Sequence, residues 1–530
     1  MPAMVVLPSC RPLARRVLFD KVHAILCNRI TGEDDEYLVQ WKTSAPTQTP
    51  PLSWHSVFEL QRCLELVQDY LEERATLLRA APPLNSLSKK RKSPDSEPNF
   101  ERQSSPSKQN FQASCRIPST ERSPSVSSVS LPTSTNRNRL TVTSAAAVVD
   151  VYNGVLDSEN GFIVARSESS PDIPRMRLQD IPTPEMAQAA RRAKTTNAET
   201  LVRAAYLRRL SRVPGKKIHL VNTVDSSTPS LRYRYIPEYV LREGVFRVSL
   251  EAQEGCDKCS PHMGRDIGCE YTKKCRCLEY AAVDVSRCDD DQMKLHRRIE
   301  ETGEGTTEER LSLPKRFPYY AEGTKRARAG CLVPFYLNSR HAIYECNDNC
   351  KCGPTCRNKN VQFGRVVELE IFKTASGRGW GLRCRQKLYE GQFVDTYRGE
   401  IITDEEATRR EAAASSRDKA SYLYSLDKFQ ESEQLPDEEI YVVDGEFMGG
   451  PSKFMNHSCE PNCRQYTVSY NKHDPKVYDL AFFACRDIPA GEELTFDYLD
   501  KEEADDIVEV SEGAIPCLCG AEKCRKWLWT

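Results

Sequence analysis

No stretch of about 18 consecutive apolar residues occurs in the sequence, so nothing in it reads as a membrane span. The opening MPAMVVLPSCRPLARR holds too few apolar residues in a row for a secretory signal. Hydrophobic residues make up only 39% of the 530, little for a single packed globule of that length. Charged residues reach 28% and prolines number 32, which assigns part of the chain to disorder. Neither sign of charge dominates: the net of −1 says nothing about partners, because charge can be segregated along a chain. Internal repeats are absent. Cysteine is scarce in the first half, where only Cys10, Cys27, Cys63 and Cys115 precede residue 250; the other 18 of the 22 lie beyond it. Without a signal the expected compartment is intracellular and reducing, where disulfides are disfavoured. Clustered cysteines in such a chain read as metal ligands.

The length allows about three to four domains. Residues 15–80 read as a small module. EYLVQW alternates, with Tyr37, Val39 and Trp41 on one face of a strand, and NRITGEDD before it is a turn. Leu60, Leu64, Val67 and Leu71 recur at helical spacing after it. Residues 81–216 read as a mostly disordered Ser/Pro linker, with one basic helix expected over 187–210. This linker carries 21 Lys and Arg against 12 Asp and Glu, which favours contact with DNA or RNA. Lys89, Lys90, Arg91 and Lys92 fit a nuclear localisation patch, with a solvated charge run as the plain alternative. From residue 217 onward the chain is β-rich, with strands expected in EIFKTA, QFVDTYRGEIIT, SYLYSLDKF, EIYVVDGE and YDLAFFACRDI.

Two dense cysteine groups stand at the start of this part: Cys256, Cys259, Cys269, Cys275 and Cys277, then Cys346, Cys350, Cys352 and Cys356. Zinc takes four thiolates in a tetrahedron. Nine thiolates supply three tetrahedra if three of them each bridge two ions. Residues 289–340 between the groups are polar and read as a loop insertion, with Cys288 and Cys331 at its edges expected not to be ligands. Near the C-terminus Cys517, Cys519 and Cys524 offer three thiolates, and Cys459 in FMNHSC supplies a fourth if the tail folds back. The expected total is about four zinc ions, all structural.

GRGWG (377–381), YRGEIIT (397–403), FMNHSC (454–459) and ELTFDY (493–498) together resemble the successive motifs of a SET-domain protein-lysine methyltransferase. The nine-cysteine group resembles its pre-SET module (217–365), residues 366–500 the SET domain, and 513–530 the post-SET tail. With an N-terminal module resembling a chromodomain, the whole resembles a heterochromatin-type, Su(var)-class methyltransferase of histone H3 lysine 9, of fungal type. The resemblance implies a mostly β, multidomain fold. It implies S-adenosylmethionine as cofactor, held by Arg378, Gly379, Trp380, Gly381, Tyr422, Lys453, Asn456, His457, Tyr498 and Trp529. It further implies a lysine channel lined by Tyr397, Tyr424, Phe496 and Tyr498, closed by Trp529. The implied partners are the H3 tail and the nucleosome; the implied place is nuclear chromatin. Two departures stand out. Tyr424 lies where close relatives commonly have phenylalanine. In the chromodomain-like part, Trp41 matches one wall of a methyl-lysine cage and Phe19 lies near the first position but one residue out of register, Ser44 stands where the third aromatic belongs, and Trp54 matches a tryptophan that is usually structural.

The chemistry such a site performs is in-line attack of a lysine amine on a sulfonium methyl. A free lysine is protonated at neutral pH, so the channel must desolvate it and set it beside positive charge. An aromatic lining suits the lysine stem and its cationic products. The rival readings are an enzyme of the same fold acting on another histone or non-histone lysine, and a chromatin-binding scaffold with an inactive SET domain.

Overall fold

The computed structural model describes residues 19–43, 49–80, 148–152, 156–159, 162–165, 175–260, 269, 275–320, 328–354, 356–413, 422–499 and 515–529. The N-terminal module begins with an antiparallel pair, Val22–Thr31 and Asp34–Trp41, turned by two residues with Gly32 at φ +67°. Such a short hairpin needs a residue that tolerates positive φ. Leu52–Ser56 pairs next, and helix α1 (Leu64–Ala80) packs across one face. The alternation in EYLVQW is realised: Tyr37, Val39 and Trp41 are buried with Val67 of α1, while Leu38 faces the other way, onto Leu52, Val151 and Ala190.

The sheet does not end with the module. Val148–Tyr152 adds to Leu52–Ser56 in parallel, and Arg175–Arg177 adds beyond it. These strands and two helices come from the segment expected to be linker, so its C-terminal part is folded. The single helix expected over 187–210 is two: α2 (Pro184–Arg192) and α3 (Thr196–Leu210). Thr183 caps the first at Met186 N–H (3.3 Å), and Ala193 is extended at φ −64°, ψ 136°, which breaks the helical run. The patch Lys89–Lys92 and the rest of 81–147 lie outside the described residues.

Both α1 and α3 belong to the hydrophobic core that continues into the C-terminal half. Gln68 of α1 is buried and spans the junction. It donates to Thr228 O (2.8 Å) and Pro229 O (3.2 Å) and accepts from Leu231 N–H (2.7 Å). Arg232 pairs with Asp69, and the hydroxyls of Tyr206 and Tyr235 meet at 2.6 Å.

This packing corrects the expected cage. Trp41 is 1% exposed. Its Nε1 donates to Ser53 Oγ at 2.8 Å and its ring lies edge-on to His55 at 5.5 Å, while α3 packs on its strand. A methylammonium has no open face of Trp41 to reach. The Phe19 side chain and position 44 lie outside the described residues.

The C-terminal half is built from small sheets. One orders Ile343–Tyr344, Cys463–Ser469, Asp479–Ala484 and Phe393–Tyr397; another orders Val240–Leu241, Glu400–Thr403, Tyr441–Asp444 and Leu423–Ser425. A third places Leu369–Lys373 between Trp380–Cys384 and Ile218–Val221. Every residue of Phe393–Tyr397 is buried, as in a strand covered on both faces. The insertion 289–340 is not merely a loop. Capping boxes at Asp289/Gln292 and Thr306/Glu309 start the helices Asp290–Thr302 and Thr307–Ser312, which polar composition concealed.

Because Trp41 is core, Trp41→Ala is expected to cost about 3–5 kcal/mol of stability. Denaturant unfolding of the full chain checks this; a loss below about 1 kcal/mol would place the ring at the surface instead.

Candidate active site and metal centres

Two of the motifs lie side by side. Asn456–His457 pairs in parallel with Thr495–Phe496, and Ser458 N–H donates to Phe496 O at 3.0 Å. The pairing puts Asn456 beneath the glycine-rich hairpin: its Nδ2 donates to Trp380 O (3.2 Å) and Glu493 Oε1 (2.8 Å). Glu493 also takes the guanidinium of Arg378. Gly379 sits at φ +78°, closing the hairpin through Thr374, whose N–H and hydroxyl both reach Gly379 O (2.9 and 3.0 Å). At Gly381 a Cβ would stand 2.9 Å from Glu493 Oε1 and from the Phe372 ring, so only glycine lets these groups close.

Lys453 completes this side. Its Nζ lies 4.2 Å from the Tyr422 ring centroid and 4.5 Å from that of Tyr233, and it donates to Glu446 O. Burial pulls its pKa down to about 8, with Glu446 and Asp444 opposing. Arg378, Trp380, Lys453, Asn456 and Tyr422 thus gather two cations, aromatic faces and backbone carbonyls around one hairpin. That donor set fits a zwitterionic nucleoside ligand with a carboxylate and a flat base, as S-adenosylmethionine is.

The expected channel residues form a continuous aromatic run. Ring centroids of Tyr424 and Tyr397 are 6.1 Å apart, and Tyr397 is 6.4 Å from Phe482. Phe482 to Phe496 and Phe496 to Tyr498 are 4.7 Å each. Both catalytic-candidate hydroxyls spend their protons on carbonyls: Tyr397 Oη donates to Tyr422 O (2.8 Å), Tyr498 Oη to Met455 O (2.9 Å). Burial holds both phenols above their ordinary range, so they stay protonated and offer lone pairs, not a base. Gly445 permits the approach, since a Cβ there would meet Tyr397 Oη at 2.5 Å.

His457 joins this site to the tail. Its Nδ1 accepts from Tyr498 N–H (3.2 Å), which leaves the proton on Nε2, and Nε2 lies 3.3 Å from Cys459 Sγ. Burial lowers its pKa to about 4, so the ring is neutral. Cys459, Cys517, Cys519 and Cys524 bring four sulfurs within 4.8 Å of one another, the ligand set of a tetrahedral metal site. Arg525 fastens the tail with two bonds to Asp497 and its N–H on Cys459 Sγ (3.4 Å). The side chain of Trp529 lies outside the described residues; its backbone forms the strand Trp527–Trp529.

All nine thiols of the two dense groups come together. Cys256, Cys259, Cys275 and Cys277 form one group, Cys269, Cys346, Cys352 and Cys356 a second, and Cys277, Cys346 and Cys350 a third. Cys277 and Cys346 are each shared by two groups, which supplies two of the three bridges that three tetrahedra need, and Cys269 Sγ stands 3.6 Å from Cys346 and 3.5 Å from Cys356. Cys288 and Cys331 stand outside these groups. The cluster is tied to the catalytic sheets by Glu345, a buried carboxylate beside Cys346. It accepts from Tyr319 Oη (2.6 Å), Val361 N–H (2.8 Å), Asn360 N–H (3.0 Å) and Gln362 Nε2 (2.9 Å).

Sequence reasoning missed Glu345, Glu493 and the Arg525–Asp497 pair. Glu493 and Asp497 lie inside ELTFDY, but only folding shows what they hold.

Comparison with known proteins places this geometry. Residues 379–499 match the SET domain family and residues 211–359 the Pre-SET motif. The chain is 39% identical over 323 residues to an H3 lysine-9-specific histone-lysine N-methyltransferase of Fusarium mangiferae, covering 59% of this chain and 88% of that protein. It is 38% identical over 321 residues to the corresponding H3 lysine-9-specific enzyme of Neurospora crassa, with the same shares. A solved structure of the Neurospora SET-domain protein, a histone lysine methyltransferase, is 34% identical, covers 57% of this chain and 99% of that one, and superposes with a TM-score of 0.43.

For the tail site, Cys524→Ser is expected to remove about one metal ion per chain and leave the nine-thiol cluster filled, because its ligands lie elsewhere. Elemental analysis reads this directly. Unchanged metal content would take Cys524 out of the site.

Proposed function

This chain belongs to the pre-SET/SET histone-lysine N-methyltransferases, and we propose that it methylates lysine 9 of histone H3, to the di- and trimethyl states, in heterochromatin formation and gene silencing in the nucleus. The observation that carries the reading is the pair of buried hydroxyls, Tyr397 and Tyr498, whose protons are spent on carbonyls along an unbroken aromatic run. S-adenosylmethionine supplies the methyl group on a sulfonium. The protein's own residues do the rest. The aromatic run strips water from the lysine stem and disfavours the ammonium, so the amine arrives as a nucleophile. The lone pairs of Tyr498 and Tyr397 accept the amine N–H groups and polarised C–H groups, which fixes the nitrogen lone pair in one direction.

We assign Arg378, Gly379, Trp380, Gly381, Tyr422, Lys453, Asn456 and His457 to the cofactor, and the thirteen clustered cysteines to about four structural zinc ions. The basic excess of residues 81–216, 21 Lys and Arg against 12 Asp and Glu, supports a further contact with nucleic acid on chromatin.

Mass spectrometry of an H3 tail peptide incubated with the enzyme and cofactor tests the reading. Methyl transfer is expected on lysine 9 and lost when that lysine is replaced by arginine; transfer elsewhere on the tail would overturn the assignment. Product number follows from Phe496, which is buried in the channel and carries no hydroxyl. Phe496→Tyr is expected to shift the product toward monomethyl, since one added hydrogen bond, about 1 kcal/mol net, biases orientation about five-fold. Tyr498→Phe is expected instead to slow every transfer. Only monomethyl product from the unaltered enzyme would defeat the Phe496 argument.

A further inference from the structure

We propose that Gln465 sets how many methyl groups the enzyme adds, by holding the hydroxyl of Tyr424 away from the substrate amine. This rests on the methyltransferase reading above. Tyr424, on the strand Leu423–Ser425, supplies the far wall of the aromatic run, and a hydroxyl free to donate there would oppose multiple methylation. That hydroxyl is committed: Tyr424 Oη donates to Gln465 Oε1 at 3.0 Å. Gln465 projects from Cys463–Ser469 opposite Phe482, whose ring abuts Phe496, so the amide reaches the channel from behind its wall.

The other end of the same amide argues that the bond is needed. Gln465 Nε2 is buried without a hydrogen-bond partner. An apolar side chain would fill this place without stranding an N–H group, and buried polar groups are ordinarily paired. Only with Oε1 toward the tyrosine does the amide take up the phenol proton; turned over, Nε2 would donate to Oη and leave that proton free, with one amide atom unpaired either way. Its one visible use is therefore the tyrosine. A phenol has a single proton. With that proton directed at Gln465, Tyr424 cannot donate to the amine lone pair, and the wall behaves as phenylalanine does. Gln465 is thus a positioning residue. Released, the hydroxyl could bond the amine or hold a water in the volume that a second or third methyl requires.

The test uses the full-length enzyme and an H3 tail peptide, with the mono-, di- and trimethyl fractions read by mass spectrometry at matched turnover. Gln465→Leu is expected to lower the trimethyl share about five-fold, the bias of one hydrogen bond, with monomethyl product accumulating. Adding Tyr424→Phe to Gln465→Leu is expected to restore the original pattern, which repair of a merely structural defect would not do. Gln465→Glu keeps an acceptor for the hydroxyl and is expected to keep the pattern too. An unchanged distribution in Gln465→Leu, or a loss that Tyr424→Phe does not reverse, overturns the proposal. A protein that methylates a lysine other than lysine 9 would defeat the substrate reading alone, since the same fractions can be read on that lysine.

Discussion

His457 stands where three parts of the molecule meet, and the site depends on its two ring nitrogens facing different ways. One accepts from the backbone of Tyr498; the other points at Cys459. A charged imidazole could not do both, because Nδ1 would have no lone pair to offer. Burial keeps it neutral. The ring can hold this position only because Asn456–His457 and Thr495–Phe496 run side by side, which fixes Tyr498, Phe496 and Cys459, the thiol that the tail folds back onto, in one register. The four-thiol tail site and Tyr498 are thereby parts of one hydrogen-bonded unit.

A second theme is how donors are used up. Tyr397, Tyr498 and Tyr424 each direct the hydroxyl proton at a fixed protein acceptor, two carbonyls and one amide. What these side chains have left to offer is lone pairs and ring faces. Such a lining welcomes an amine or a methylated cation and offers an ammonium no acid–base partner. The same logic governs the glycine-rich hairpin, where Glu493 takes both Arg378 and Asn456 and so stiffens the turn that carries Trp380. Preset polar groups of this kind cost no reorganisation when the reactants arrive.

The N-terminal module illustrates how tertiary contacts reassign a residue. EYLVQW gives Trp41 the place of a cage wall, yet α3 covers its strand and Gln68 binds three backbone groups of the catalytic half. A glutamine with all these partners is costly to undock, since each broken bond strands a buried group. The module is accordingly a wing of the catalytic core.

The sequence by itself determined the chemistry: the cysteine spacings, the NHSC and ELTFDY motifs, the strand alternation at Tyr37, Val39 and Trp41, and the thiol count that demands sharing. These are local patterns, and local patterns survive in one dimension. Only the tertiary structure decided which thiols are shared, that Trp41 is core, that α2 and α3 are two helices docked on a sheet extended by residues 148–152, and that Gln465 faces Tyr424 from a strand 41 residues away. Each of these is a pairing across long sequence separation. A side chain's partner there is set by which strands lie adjacent, and neither periodicity nor composition carries that information.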